Sequence, residues 1–239
     1  MGNLASRLEG MQLLAFDLDN TLYDEGLYFA AALDRIAPRV AGLSDGDPEQ
    51  IRRRFDEILI SEGKHYHHLF DDILTENGLS VAEHLKDLLT EFSAVKGGID
   101  LFPGVAEFLA ALRDRYKLSL ITSGREAVQA NKLRLLGLAD SFDHIIFSST
   151  LTENKPGQMP FRLLCEAADV LPSEAVYLGD NPLFDFKGSS EIGMTTIRVA
   201  NPEFDDHVCD PGWDAHFRLS RVTELSGFLP KAEKAVARS

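Results

Sequence analysis

The sequence predicts an α/β protein, a Rossmann-like parallel sheet core with an α-helical module inserted into it. Short apolar runs of strand length alternate with segments whose apolar residues recur at helical spacing, the pattern of parallel strands joined by right-handed crossovers. One stretch, residues 25–97, breaks that alternation with several amphipathic helical patterns and no convincing strand. The expected division is therefore a core of residues 1–24 and 98–239 and a helical module of residues 25–97. A chain of 239 residues, 44% of them hydrophobic, is long enough and apolar enough for both.

The first strand is "MQLLAFD", ending at Asp17, and its unbroken apolar run reads as a strand buried on both faces. In the inserted segment, "LYFAAALDRIAPRV", "PEQIRRRFDEILI" and "VAEHLKDLLTEFSAV" carry helical periodicity, and Gly97-Gly98 closes the segment as a plausible hinge. "PGVAEFLAALRDRY" opens with a helix-starting proline. The strands "KLSLIT", "HIIFSS", "AVYLGD" and "MTTIRV" follow, separated by the helical patterns "EAVQANKLRLLGL", "PFRLLCEAADV" and "PLFDFKGSSEIG". The tail "KAEKAVARS" reads as a frayed helix or disordered segment.

Charge narrows the partners. With 24 basic and 38 acidic side chains the formal charge is −14, which argues against non-specific binding to nucleic acid or an anionic membrane. An anionic substrate then needs a local cation. Cys165 and Cys209 fit no zinc spacing; Cys165 sits in "FRLLCEAA", where a buried free thiol is expected, and a reducing cytoplasm fits. The N-terminus lacks the apolar core of a signal peptide, and no later run approaches the ~20 apolar residues that span a bilayer. Met1, Gly2 and Ser6 satisfy a loose myristoylation pattern, but no polybasic cluster follows and one acyl chain anchors weakly. A soluble monomer or homodimer is expected.

In open parallel sheets ligands bind at the carboxyl ends of the strands, so residues closing different strands converge. Those positions hold Asp17 and Asp19, then Thr122, Ser123 and Gly124, then Lys155, then Asp180. Aspartate is a poor strand residue, and paired carboxylates repel unless a cation or shared proton relieves them. Acids rich in oxygen donors suit Mg²⁺, and the lysine and hydroxyls suit a phosphate. Taken singly, each has a bland reading: Thr122 and Ser123 as helix caps, Lys155 as a surface charge, Asp185 as a first-turn acid. Their weight comes from sharing one sheet edge.

At this point the chain resembles the haloacid dehalogenase-like (HAD) superfamily over nearly its whole length. The motifs appear in order: "DLDNT" at 17–21, "LITSG" at 120–124, "NKP" at 154–156 and "GDNPLFD" at 179–185. The resemblance implies that the helical insertion is a C1 cap that selects substrates. It implies that Asp17 is a nucleophile forming an aspartyl-phosphate and binding Mg²⁺, with Asp19 as general acid and base and its main-chain carbonyl on the metal. Thr122, Ser123, Gly124 and Lys155 would hold the phosphoryl group, Asp180 would complete the metal shell, and Asp185 would support it or orient Lys155. Dehalogenases of the superfamily lack an acid at the position of Asp19, so a phosphoryl-transfer enzyme is expected. Two departures are Gln158 in place of the usual proline and Asn20 where glycine is common.

The cap stretch "KHYHHLF" lacks the i, i+4 histidine pair of a helical zinc site, so surface or helix-boundary histidines are the better reading. Lys64, His65, Tyr66 and His68 are still candidates for substrate contact, as are Tyr23 and Tyr28 beyond the first motif. The expected function is a Mg²⁺-dependent phosphatase of a small phosphorylated metabolite. Alternatives are a pyrimidine-type nucleoside 5′-monophosphate nucleotidase, which "FDLDNTLYDE" and "QANKLRLLGL" resemble, then a phosphomutase, then a non-catalytic partner-binding protein.

Overall fold

The computed structural model describes residues 3–64, 66–210 and 212–230. Met1 and Gly2 of the acylation pattern, His65 of the cap candidates and the tail 231–239 lie outside the described residues. The chain divides into two compact units, one of residues 1–24, 101–129 and 137–239, the other of residues 25–100 and 130–136.

The first unit is built on a six-stranded parallel sheet. Its strands are β1 (Leu13–Phe16), β2 (Lys117–Thr122), β3 (His144–Phe147), β4 (Ala175–Gly179), β5 (Thr195–Val199) and β6 (Phe217–Leu219), in the spatial order β3-β2-β1-β4-β5-β6. The short helix α1 (Leu4–Arg7) precedes β1. Strand β1 is central and buried throughout. Period-two alternation splits its side chains: Leu13 and Ala15 join a cluster with Phe161, Leu164 and Tyr177, while Phe16 meets Phe108 and Phe142 on the opposite face. The sheet reverses direction of growth at β1, which places a ligand crevice at the carboxyl ends of β1, β2 and β4.

In the second unit, α2 (Glu25–Ser44), α3 (Pro48–Glu62), α4 (Leu69–Glu76) and α5 (Val81–Ser93) enclose a core of Leu33, Ile36, Phe55, Ile58, Ile73 and Leu88. Asp47 caps α3 by accepting from the Glu49 N–H, with Pro48 in the first turn, the favoured start. Helix α2 runs through Pro38. Gly98 has φ of +84°, a left-handed conformation that suits glycine.

The remaining helices are α6 (Val105–Leu112), α7 (Glu126–Leu135), α8 (Met159–Ala168) and α9 (Lys187–Glu191). The pattern "PLFDFKGSSEIG" thus yields only the five-residue α9, because the Asn181–Asp185 stretch is a turn closed by Asp185 N–H to Asn181 O at 2.9 Å. Strand β6 has no counterpart among the expected strands; three residues at a sheet edge are too few to show alternation. The two motif departures have plain accommodations. Asn20 adopts φ of +55°, where glycine is easiest and asparagine tolerated. Gln158 stands before α8, whose first turn carries Pro160.

Candidate active site

Asp17 follows β1 directly, and its backbone N–H donates to Leu178 O of β4 at 2.8 Å, so the ladder itself fixes the residue. Its Oδ1 accepts from Lys155 Nζ at 2.6 Å. The ammonium also donates to Asp185 Oδ1 at 2.8 Å and to the Tyr177 hydroxyl at 3.2 Å, and that hydroxyl donates to Asp185 Oδ1 at 3.1 Å. All four side chains are buried. Asp185 further accepts from the Asn181 N–H at 2.9 Å, so its carboxylate is committed to orienting Lys155 and the turn after β4.

Asp180 closes β4 beside Asp17. Asn201, past the end of β5, donates to its Oδ2 at 2.7 Å, and Thr21 donates weakly to Oδ1 at 3.4 Å. Asp19 lies two residues beyond Asp17; Tyr23 donates to its Oδ1 at 2.6 Å and Gln129 to its Oδ2 at 2.7 Å. Gln129 also donates to Thr122 Oγ1 at the end of β2. Ser123 Oγ shares a hydrogen bond with Ser148 Oγ at 2.9 Å, and Ser148 donates to Asn154 Oδ1 at 2.5 Å. Asn154 Oδ1 in turn accepts from the Lys155 N–H at 2.7 Å, tying the β2 and β3 ends to the loop that carries the lysine. Gly124 has φ of +99°, and its carbonyl accepts from Ser149.

Electrostatics follow from burial. Desolvation holds the Asp17 carboxyl well above the usual carboxylate range, and although Lys155 pulls it down, Asp185, Asp180 and Asp19 push it up. Burial opposes the Lys155 charge too, yet Asp17 and Asp185 together hold its ammonium well above the ordinary lysine value. Asp180 is pushed up to about 7 by burial and then by repulsion from Asp185, against the hydrogen bond from Asn201. Burial also raises the Tyr177 phenol well above its usual value.

The core residues expected from sequence, Asp17, Asp19, Thr122, Ser123, Gly124, Lys155, Asp180 and Asp185, all stand on strand ends or adjoining turns of the first unit. Of the other candidates, Tyr23 is buried with its hydroxyl on Asp19. In the second unit, Lys64 Nζ lies 4.0 Å from Glu25 Oε2, Tyr66 donates to Asp72 Oδ2 at 2.8 Å, and the His68 ring meets Tyr66 edge-on at 5.8 Å. Tyr28 is interior there, donating to Phe92 O at 2.8 Å beneath Lys132. Residues the sequence reading missed are Gln129, Tyr177, Asn201, Thr21, Ser148 and Asn154. Asn201 follows β5, so the strand-end rule would have found it, and a tyrosine within a fully buried strand signals a hydroxyl in need of a partner. Gln129 gives no such signal.

A family model for haloacid dehalogenase-like hydrolases matches residues 14–199. The chain belongs to the haloacid dehalogenase-like hydrolases. It is 29% identical over 232 residues, 90% of this chain and 95% of the relative, to a glyceraldehyde 3-phosphate phosphatase of Methanopyrus kandleri. Over 204 residues, 80% of this chain and 86% of the relative, it is 30% identical to a phosphoglycolate phosphatase of Chromobacterium violaceum. Among solved structures, a HAD phosphatase from Thermococcus onnurineus superimposes with a TM-score of 0.64 at 25% identity, covering 91% of this chain and 97% of that one. This HAD member is a phosphoric monoester hydrolase. Among the described residues no helix is long and apolar enough to cross a membrane.

Proposed function

We propose that this HAD phosphatase hydrolyses a small phosphorylated metabolite with Mg²⁺, through an aspartyl-phosphate on Asp17. The observation that carries the reading is the buried contact of Asp17 Oδ1 with Lys155 Nζ at 2.6 Å, two residues ahead of an acid held by its own donors. The named substrates of the relatives are short-chain phosphate monoesters, which supports the substrate class.

The donor set fits Mg²⁺. Asp17 and Asp180, at the ends of neighbouring strands, are both held above the usual range by burial and by repulsion from nearby carboxylates, Asp185 among them in each case, so Lys155 alone does not offset their charge. Among the described residues no three acidic, histidine or cysteine side chains form a ready-made cage. Mg²⁺ is commonly held by one or two carboxylates and keeps several waters. The Asp17 and Asp180 side chains and the Asp19 main-chain carbonyl would hold it, and it would supply positive charge to the phosphoryl oxygens.

In this reading an Asp17 carboxylate oxygen attacks phosphorus while the P–O bond to the leaving group breaks, and Asp19 gives its proton to the departing oxygen. Water then attacks the same phosphorus, Asp19 takes its proton, and inorganic phosphate leaves with Asp17 restored. Lys155, Thr122 and the N–H groups at Ser123 and Gly124 stabilise the transferring group, and Asp185 with Tyr177 aims the lysine. Lys64, His65, Tyr66 and His68 are the side chains we assign to substrate choice. Phosphate release from a panel of phosphorylated metabolites, with Mg²⁺ and with chelator, tests the proposal; sugar-phosphate isomerisation without free phosphate would instead indicate a mutase.

A further inference from the structure

Asp19 is gripped from two sides by residues outside the family motifs. We propose that Tyr23 and Gln129 are positioning residues that set the Asp19 carboxyl for proton transfer to the leaving group, with Gln129 also setting its distance from the hydroxyl of Thr122. The inference rests on the reading of Asp19 as general acid and base.

Each Asp19 oxygen has its own donor, Tyr23 Oη on Oδ1 at 2.6 Å and Gln129 Nε2 on Oδ2 at 2.7 Å. A carboxyl held at one oxygen can still swing about its terminal torsion, which has no sharp minima; one held at both cannot. Both donors are fixed. Tyr23 is fully buried, its backbone is bridged to Asp19 and to Leu101, and the Phe102 N–H donates to the neighbouring Leu22 O at 2.9 Å. Gln129 is 1% exposed, near the start of α7.

The Gln129 amide has one orientation compatible with the ionised acid. A carboxylate only accepts, so the NH₂ must face Asp19, and its second hydrogen reaches Thr122 Oγ1. That spends a lone pair of the threonine, whose own proton makes only a long hydrogen bond, to the Ser123 carbonyl at 3.5 Å. A hydroxyl so arranged is ready to donate to a phosphoryl oxygen. One amide therefore spaces the proton donor against a phosphate-binding group, and misplacement by about 1 Å at such a site can cost about 10²-fold in rate.

The test compares Tyr23→Phe and Gln129→Met, each close in shape but without the donor, on phosphoglycolate and glycerol 3-phosphate against 4-nitrophenyl phosphate. An alkyl leaving group needs the Asp19 proton; 4-nitrophenolate needs it far less. In each variant kcat/KM toward the alkyl esters should fall about 10- to 100-fold more than toward the aryl ester, with thermal midpoints close to wild type. Asp19→Asn in the same assay separates the two ideas. If it shows no leaving-group discrimination, the acid role of Asp19 fails; if it does and both clamp variants lose the two ester types equally or neither, the clamp is overturned. Should one variant not fold, the other decides, since the two donors stand on different elements.

Discussion

Lys155 Nζ lies 2.6 Å from Asp17 Oδ1 with both side chains buried, the ammonium arriving from the loop after β3 and the carboxylate from the end of β1. Replacing the lysine by alanine removes the donor we assign to the transferring phosphoryl, so kcat/KM should fall at least ~10²-fold. It also leaves Asp17 and Asp185 without their shared cation, and breaking a buried pair in this way costs about 3–5 kcal/mol. Steady-state kinetics and thermal melts measure the two effects, and wild-type kinetics would remove Lys155 from the chemistry.

Gly179 ends β4 against Asp185. A Cβ there would stand 2.3 Å from Asp185 Oδ2 and 2.6 Å from its Cγ, so the carboxylate must move. Because Asp185 aims Lys155, Gly179→Ala should lower kcat on the order of tenfold or more while the strand itself, which tolerates alanine, stays folded. Circular dichroism with phosphate-release assays checks this; unchanged turnover would separate Asp185 from lysine positioning.

Asp180 gives a pH dependence with a definite sign. Its carboxyl keeps a proton in the folded chain up to about pH 7, whereas an unfolded aspartate loses it near about 3.9. Without metal, its contribution to stability is therefore fully present below about pH 4 and lost as pH rises through about 7. A cation that binds the ionised form reverses that loss. The rise in melting temperature on adding Mg²⁺ should be small near pH 5 and grow toward pH 8, and a pH-independent rise would detach the metal from this carboxylate.

Asp17 and Asp19 should fail differently. Asp17→Asn removes the attacking oxygen, so no labelled enzyme forms with any substrate. Asp19→Asn keeps it but loses both proton transfer and water activation, so an aryl phosphate should leave label trapped on Asp17. Rapid quench followed by mass spectrometry locates it, and label on any other residue would falsify the nucleophile assignment.

Much of the fold was legible beforehand because most strands are continuous apolar runs, and the candidate site residues follow them. Asp17, Thr122 and Asp180 each close such a run, and the parallel topology turns sequence neighbours of strand ends into spatial neighbours. What escaped has no periodic signature. Strand β6 is too short to alternate, and α9 shrinks because Asp185 holds the turn before it. Gln129 looks like an ordinary polar residue of an amphipathic helix; only the packing of α7 shows that its amide faces an acid.

The central place of β1 has a consequence for how the enzyme breathes. Its backbone is laddered to β2 on one side and β4 on the other, and the amide of Asp17 is itself bonded to Leu178. Amides in such a strand exchange with solvent deuterium only when the whole domain opens, unlike those of loops that open locally. The Asp17 carboxylate, to which we assign the attack, is thus carried by backbone whose protection factor should equal the global unfolding equilibrium. A destabilising substitution anywhere in this sheet would then reduce the share of molecules that hold Asp17 in place, without touching the site.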